Sequence, residues 1–314
     1  MSIMKSYSAP KFTIKLLSPK YWGVWLGFGL LALTVTVLPY RLLKRLGFYI
    51  GSLTQKFAQK RVSIAEKNLS LAFPDMQKDQ QKKILESNIN NSGLAIIETG
   101  MAWFWPDWRV RNHVKLVNTE QMKQLESEKR GVLVVCVHAL NLEMTARAFS
   151  LFAPGYGVYR PHNNPAYDFI QFWGRTRFGH QMVDRKDVKG MMKILRKGGR
   201  LWYLPDHDYG FKNSVFVPFF GVEQASTTMG TGVLVDATKC AVVTASSFRT
   251  DELYTLDIDE DISQLFPRRD TTGAAVVMNK AVEKVIMKGV DQWMWMHRRY
   301  KTMPDNKNNG SRYR

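Results

Sequence analysis

The feature that most constrains this chain is a run of twenty residues without a charged side chain, from Tyr21 to Tyr40 (YWGVWLGFGLLALTVTVLPY). A helix of that length rises about 30 Å, which matches the hydrocarbon core of a bilayer. Trp22 and Trp25 near its start and Tyr40 at its end suit the membrane–water interface. The residues that follow, RLLKR, contain no small-residue cleavage site of a signal peptide. The run therefore predicts one N-terminal transmembrane helix, with a buried core helix as the alternative.

Basic residues flank this run and dominate the first quarter of the chain. Residues 1–70 carry eleven lysines and arginines against one acid, Glu66, and the whole chain has a formal net charge of +18. Such an excess indicates an anionic partner, either nucleic acid, anionic lipid headgroups or an acidic protein, unless it is only a solvated basic face. The heavier basic cluster follows the apolar run, which favours a cytoplasmic position for the rest of the chain.

The remaining sequence predicts an α/β fold. Helices are predicted over residues 41–72 and 75–100, followed by a tryptophan-rich segment (101–108) that packs in the core or faces the membrane. Val132–Val137 is a continuous apolar run, typical of a strand buried on both faces. Further strands (157–159, 201–204, 215–219, 241–249) alternate with helices (141–151, 164–178, one capped by Asp187, one near 226–238). Such alternation indicates a mixed, largely parallel sheet flanked by helices. We divide the chain into a membrane anchor (1–45), a cytoplasmic domain (46–304) and a loose polar tail (305–314).

The two cysteines do not build a disulfide framework or a metal site. Cys136 and Cys240 lie in apolar runs, which suits a reducing compartment. The sequence has no CxxC pair, no histidine–cysteine cluster at zinc spacing and no phosphate-binding glycine loop, so we expect neither a metal nor a bound cofactor. A GxSxG elbow is also absent, which disfavours an ordinary α/β-hydrolase. A nucleophilic Cys136, as in a thioesterase, is a possible alternative.

A histidine and a carboxylate follow the buried strand in the segment VHALNLE. His138 comes directly after VLVVCV, and ligands gather at the carboxyl ends of strands in open α/β sheets. Glu143 lies five residues further on, in the first turn of the next helix. We expect its carboxylate to reach back to the imidazole, which makes His138 a base able to deprotonate a hydroxyl group. A satisfied core histidine is the alternative.

Basic residues and a second acid also stand at strand ends. Arg160 ends the stretch GVYR, and the next helix ends with further arginines in GRTR. Guanidinium groups that converge at one end of a sheet suit phosphate recognition, although they could be surface charge. Asp206 follows the strand LWYL directly. The candidate substrate- and phosphate-binding residues are Arg160, Arg175, Arg177, Arg185 and Lys186.

At these segments the sequence resembles a known family over nearly its whole length. The matching segments are LLSPKYWGVWLGFG, ETGMAWFWPD, HALNLE, GVYRPHNNP, GRTR, DRKDVKGM, WYLPDHDYG, SVFVPFFGVEQASTT and WMWMHRRYKTMP. They resemble the late acyltransferases of lipid A biosynthesis, the lauroyltransferase group. Glycerolipid acyltransferases share the His-x4-acid motif but typically have Pro-Glu-Gly where this chain has Pro205-Asp206-His207, which disfavours a glycerol-phosphate acceptor.

The resemblance implies an inner-membrane enzyme with one N-terminal anchor and a cytoplasmic catalytic domain with a glycerolipid-acyltransferase-like fold. Such enzymes take an acyl chain, here laurate first, from acyl carrier protein. They place it on a hydroxyl group of an acyl chain of Kdo2-lipid IVA. The resemblance makes His138 the general base, Glu143 its orienting partner, and Arg175 and Asp206 further essential residues. It implies no cofactor, metal or nucleic acid. The remaining alternatives are a membrane-anchored glycerolipid acyltransferase and a non-enzymatic protein that binds anionic lipid or nucleic acid.

Overall fold

The computed structural model describes residues 9–305 and 310–313. Residues 1–8 of the predicted anchor, and residues 306–309 and 314 of the predicted tail, lie outside this part of the chain. Five helices come first: α1 (Trp22–Val37), α2 (Tyr40–Phe57), α3 (Gln59–Ala72), α4 (Lys78–Phe104) and α5 (Asp107–Arg111). The helix predicted over residues 41–72 is thus two helices, because the backbone at Ala58 departs from helical geometry (φ −121°, ψ 37°). The boundary that we placed after residue 45 falls inside α2, and the division into domains stays a prediction.

Helix α1 coincides with the predicted transmembrane run. Pro19–Val37 is long and apolar enough to cross a membrane, and only 6% of its most apolar window is buried. One stripe of the helix, which includes Phe28 and Val35, packs against the core cluster that contains α4. The opposite stripe is solvent-facing and apolar, with Leu26, Leu30 and Leu33 exposed.

The remaining elements form the predicted α/β body. The strands are β1 (Val114–Val117), β2 (Val132–Val135), β3 (Tyr156–Tyr159), β4 (Gln181–Asp184), β5 (Arg200–Tyr203), β6 (Ser214–Phe219), β7 (Val222–Thr228), β8 (Ala241–Thr250) and β9 (Leu253–Ile258). The helices are α6 (Glu120–Ser127), α7 (Leu142–Ser150), α8 (Pro165–Thr176), α9 (Val188–Arg196), α10 (Gly230–Thr238) and α11 (Thr271–Met287).

Seven strands form one sheet in the order β1-β9-β8-β2-β5-β3-β4, while β6 and β7 form a separate hairpin. All neighbours in the large sheet are parallel except β8 and β9. The central strand β2 is fully buried because apolar clusters cover both faces: Leu133 and Val135 face a cluster with α9, α10 and α11, and Val132 and Val134 face one with α6 and α7. The predicted fold class is confirmed.

Two local predictions also have clear outcomes. The Asp187 side chain accepts a hydrogen bond from the Gly190 N–H and caps α9, as predicted. The prediction of a loose tail is wrong for residues 310–313, because the Tyr313 hydroxyl accepts a hydrogen bond from the Tyr300 N–H at 2.9 Å. In the tryptophan-rich segment, Trp103 and Trp105 are buried in the core, as predicted, while Trp108 is exposed; the membrane-facing alternative stays a prediction.

Candidate active site

The predicted site residues meet at the carboxyl edge of the sheet. Strands β2, β5, β3 and β4 are consecutive parallel neighbours, so their carboxyl ends lie side by side. His138 follows β2, Asp206 follows β5, Arg160 follows β3 and Arg185 follows β4. The order of the strands therefore aligns one histidine, one carboxylate and two arginines along a single edge, where ligands of α/β sheets bind.

Asp206 holds His138 by two hydrogen bonds. The imidazole Nδ1 lies 2.7 Å from Asp206 Oδ1, and the His138 backbone N–H donates to Asp206 Oδ2 at 2.8 Å. The Asp206 side chain is completely buried, whereas a quarter of the His138 side chain is exposed. Burial acts to raise the pKa of Asp206, but the charge and hydrogen bond of His138 lower it well below its usual range. The carboxylate is therefore ionised. Because a carboxylate only accepts, Nδ1 carries the proton, and in the neutral ring the lone pair is on Nε2.

A segment from the C-terminal end of the chain completes this arrangement. The indole N–H of Trp293 donates to Asp206 Oδ2 at 2.7 Å, and the Met294 N–H donates to the His138 carbonyl at 3.0 Å. Asn88 of α4 in turn donates to the Trp293 carbonyl at 2.7 Å. Trp293 was not among the predicted site residues; its only signal in the sequence was its position in the segment WMWMHRRY.

Glu143 does not take the position that we predicted for it. Its carboxylate accepts hydrogen bonds from Arg175, with Nε at 2.9 Å from Oε1 and a second bond from a terminal guanidinium nitrogen, and from Trp103 Nε1 at 2.9 Å. The predicted contact with the imidazole is therefore corrected to Asp206. The reason is topological: β5 is the hydrogen-bonded neighbour of β2, while the first turn of α7 directs Glu143 towards α8 and α4.

The Glu143–Arg175 pair is a second charged unit of the site. Burial acts to lower the pKa of Arg175, but the charge and hydrogen bonds of Glu143 raise it above its usual range. Both side chains are mostly buried, with 23% of Arg175 and 14% of Glu143 exposed. The guanidinium therefore stays charged, with Glu143 engaging Nε and one terminal nitrogen. A fixed, charged fork of this kind suits the stabilisation of negative charge.

One cavity connects the two units. It has a volume of about 540 Å³, within the range of ligand pockets (about 300–1,000 Å³). It lies between the sheet and helices α7 and α8, and His138, Glu143 and Arg175 line it together with Arg160. Its remaining wall includes apolar side chains: Leu142, Val158, Met182, Trp202 and Leu204. The site can therefore hold an apolar chain next to a histidine base and a guanidinium.

Comparison with known proteins agrees with this geometry. The family model described as "Bacterial lipid A biosynthesis acyltransferase" matches residues 9–302. The chain belongs to this family. It is 44% identical to the Escherichia coli "Lipid A biosynthesis lauroyltransferase", over 94% of this chain and 97% of that protein. It is 43% identical to a Haemophilus influenzae "Lipid A biosynthesis acyltransferase", over 97% of this chain and 98% of that protein. It is 41% identical to the Escherichia coli "Lipid A biosynthesis palmitoleoyltransferase", over 94% of this chain and 96% of that protein.

Membership of the lipid A acyltransferase family decides between the classes of protein considered above. The chain is an enzyme, an acyltransferase of lipid A biosynthesis, and the predicted family is confirmed. The non-enzymatic binding protein is therefore not retained. A Cys136 nucleophile finds no support either, because burial and the nearby Asp206 charge raise the pKa of its thiol far above the physiological range, and the side chain packs in an apolar cluster.

The predicted phosphate-binding residues of this acyltransferase lie in different surroundings. Arg160 is exposed and lines the cavity. Arg185 and Lys186 are exposed at the end of β4, outside the cavity wall. Arg177 donates to the Trp103 carbonyl at 3.0 Å, and its guanidinium lies 4.3 Å from the ring centre of Trp173. Their roles in phosphate binding stay predictions.

Three imidazole rings stack beside the acyltransferase site. The ring centres of His138 and His207 are 3.5 Å apart, and those of His207 and His297 are 4.0 Å apart, with both pairs nearly parallel. Ligand-type atoms of His138, Asp206 and His207 lie within 4.8 Å of one another. Metal-binding lone pairs of an imidazole lie in the ring plane, so stacked parallel rings do not converge on one ion, and both Asp206 oxygens already accept hydrogen bonds. This group therefore carries no metal-site assignment.

Proposed function

We propose that this enzyme transfers a fatty acyl chain, laurate first, from acyl carrier protein to a hydroxyl group of an acyl chain on Kdo2-lipid IVA. The single observation that carries the proposal is the imidazole of His138, held by Asp206 in the wall of a partly apolar cavity that a guanidinium also lines. The 44% identity to a lauroyltransferase supports laurate. Because the chain is also 41% identical to a palmitoleoyltransferase, the test below uses donors of several chain lengths.

In the proposed reaction, His138 Nε2 removes the proton of the acceptor hydroxyl group, and the oxygen attacks the thioester carbonyl carbon of the donor. The C–S bond breaks, an ester forms, and the carrier thiolate takes the proton from His138. Asp206 stabilises the imidazolium that exists between these two proton transfers. Arg175, fixed by Glu143, would stabilise the negative charge that develops on the carbonyl oxygen. No acyl-enzyme is needed.

The proposed partners follow from the surface of the chain. Acyl carrier protein is acidic, and the acceptor carries phosphates, so both fit a chain with a net charge of +18. We place the protein at the bacterial inner membrane, with the exposed stripe of α1 in the lipid and the catalytic domain on the cytoplasmic side. The apolar and exposed stripe of α1 supports this position. No bound cofactor enters the proposed reaction.

A membrane-fraction assay tests the proposal. The wild-type enzyme is incubated with radiolabelled Kdo2-lipid IVA and a panel of acyl carrier protein thioesters of different chain lengths. We expect transfer with an optimum at laurate and none by His138→Ala that is folded and membrane-bound. Transfer by His138→Ala would overturn the assignment of the base. Failure with every thioester, but transfer to a glycerol-phosphate acceptor, would replace the acceptor by a glycerolipid.

A further inference from the structure

We propose that helix α1 supports catalysis directly, in addition to any role as an anchor. In this arrangement Phe28 of α1 holds the indole of Trp103 in α4, and Trp103 holds the Glu143–Arg175 pair in the cavity wall. Full transfer activity then requires α1 to be packed against α4. The inference rests on the proposed roles of Glu143 and Arg175, and it goes beyond them because it assigns a positioning function to a helix outside the α/β body.

The first contact in this series is an aromatic stack between α1 and α4. The ring centres of Phe28 and Trp103 are 5.5 Å apart, with an angle of 22° between the planes. Phe28 also meets Tyr167 of α8 edge to face at 5.4 Å. Offset stacking and edge-to-face contacts are the geometries that aromatic pairs prefer. Phe28 therefore restrains the indole through ring contacts.

The second contact connects the indole to the charged pair. Trp103 Nε1 donates to Glu143 Oε2 at 2.9 Å, and Arg175 binds the same carboxylate. The backbone carbonyl of Trp103 accepts from Arg177, two residues after Arg175. Trp103 thus binds Glu143 of α7 through its side chain and Arg177 at the end of α8 through its backbone. A displaced indole would leave one Glu143 oxygen without this donor and would loosen the orientation of the guanidinium.

Close packing makes this series of contacts stiff. A methyl group added at Gly174 would overlap the indole of Trp103, and one added at Gly100 would come within 2.7 Å of Leu31 Cγ in α1. Both glycines therefore mark places where α4 approaches its neighbours without spare space. In a close-packed interior a displacement of α1 is passed to the indole instead of being absorbed by a void.

The other face of α1 provides a matched control. Leu30 lies two residues after Phe28 on the same helix, but 66% of its surface is exposed, whereas Phe28 is partly buried against α4 and α8. Removing either side chain shortens an apolar residue of the same helix. Only the Phe28 change removes the contact with Trp103.

The experiment compares four variants of the full-length, membrane-bound enzyme: Phe28→Ala, Phe28→Tyr, Trp103→Phe and Leu30→Ala. We expect Phe28→Ala and Trp103→Phe to lower kcat about tenfold with an unchanged KM for the thioester, because one positioning contact is lost. Phe28→Tyr keeps the ring and should stay within about twofold of wild type, as should Leu30→Ala. In the double variant Phe28→Ala/Trp103→Phe, the fall in kcat should be smaller than the two single falls multiplied together. Such non-additivity would show that Phe28 acts through Trp103.

A second measurement does not depend on activity. Hydrogen exchange of the backbone amides around Glu143 and Arg175 should become faster in Phe28→Ala and stay unchanged in Leu30→Ala. Equal kcat values for Phe28→Ala and Leu30→Ala, or unchanged exchange in Phe28→Ala, would overturn the inference. Full activity of Glu143→Gln and Arg175→Lys would instead overturn the proposed role of the pair, and the inference with it. The exchange result distinguishes the two failures even when no transfer is detected.

Discussion

Asp206 binds His138 through both the imidazole Nδ1 (2.7 Å) and the backbone N–H (2.8 Å), so one buried carboxylate fixes the ring and the loop that carries it. The two residues are 68 positions apart and meet because β2 and β5 are parallel neighbours, with Val135 paired to Tyr203. The arrangement defines the tautomer of the base before substrate enters. It also makes the activity of His138 dependent on an acid that lies outside the His-x4-acid motif.

Replacing this acid tests its role. In Asp206→Asn the side chain keeps its size, but an uncharged amide does not stabilise the imidazolium that forms during transfer. We expect kcat to fall about a hundredfold or more. Radiolabelled acyl transfer by membranes, with circular dichroism to check folding, measures the effect. Asp236→Asn in α10, where the carboxylate pairs with Lys239 at the surface, is the control. Activity near wild type in Asp206→Asn would show that Asp206 is not the residue that orients the His138 imidazole for catalysis.

Trp293 is the second residue that the arrangement makes testable. Trp293→Phe keeps an aromatic ring but removes the N–H that donates to Asp206 Oδ2. We expect kcat to fall about tenfold, and the free energy of unfolding to fall by about 1.5–3 kcal/mol, the usual contribution of a hydrogen bond to a charged group. The exposed Trp108 offers the control Trp108→Phe. If both variants transfer and unfold alike, the indole hydrogen bond has no role in catalysis.

The elements around the site could be predicted where burial leaves a strong pattern. The run at β2 is apolar on both faces, so the strand and the position of His138 at its end follow from the sequence. The strands β1, β4, β7 and β9 were not predicted. Their residues (VKLV, QMVD, VEQASTT and LYTLDI) include polar side chains that are at least partly exposed, and such strands are stabilised mainly by their neighbours.

The partners within the site were harder to predict because they depend on tertiary structure. Glu143 was assigned to the imidazole from its spacing, but spacing does not state which way the first turn of α7 faces. Asp206 was placed at a strand end without knowledge that β5 would be the neighbour of β2. Trp293 lies 155 residues after His138, and no local pattern connects them. The residue types of the site were thus largely identified, and their pairing was not.

The buried Cys136 leads to a prediction about nucleophilic chemistry. Burial, together with the Asp206 charge, raises the pKa of its thiol, so the thiolate is not populated near neutral pH. Cys136→Ala should therefore keep kcat within about twofold of wild type and lower the free energy of unfolding by about 1 kcal/mol. Steady-state transfer and thermal unfolding of the purified enzyme measure the two effects. Loss of transfer in a folded Cys136→Ala protein would instead support nucleophilic catalysis by the Cys136 thiol.

The stacked histidines predict a fall in stability on mild acidification. Burial, with the charge of His138 next, lowers the pKa of His207 from 6.5 to about 2. The unfolded chain therefore binds a proton below about pH 6.5 that the folded protein does not, and the free energy of unfolding should fall by about 1.4 kcal/mol per pH unit for this group. The contribution is complete above pH 6.5 and decreases as the pH falls towards the folded pKa.

Thermal unfolding between pH 7.5 and 5 in wild type and His207→Gln isolates this effect. Glu98 and Glu283, whose pKa values burial raises, act in the opposite direction, but they are present in both proteins and cancel in the comparison. The unfolding midpoint of wild type should fall more steeply with pH than that of His207→Gln. Parallel pH profiles would show that His207 takes up a proton in the folded protein.

The register of the strands indicates which end of the cavity is its floor. Gly157 of β3 is paired with Trp202 of β5 and with Met182 of β4, and all three line the cavity. Trp202 comes four residues before Asp206, and an extended chain advances about 3.3 Å per residue, so this row lies within about 13 Å of the residue that holds His138. An acyl chain that enters with its carbonyl group beside His138 would therefore end near Gly157.

A larger side chain at Gly157 should shorten the accepted acyl chain. A methyl group there would come within 3.1 Å of Met182 Sδ, the end of a flexible side chain, so Gly157→Ala should be tolerated, whereas Gly157→Leu should fill the floor. We expect Gly157→Leu to move the optimum of transfer to a shorter thioester while transfer of the shortest donors persists, because the base and the guanidinium are untouched. The measurement is kcat/KM across a panel of acyl carrier protein thioesters. Gly29→Leu in α1, where an added Cβ meets nothing within 4 Å, should leave the optimum unchanged. An equal loss with all chain lengths in Gly157→Leu would indicate a distorted site, and an unchanged optimum would place the end of the acyl chain elsewhere.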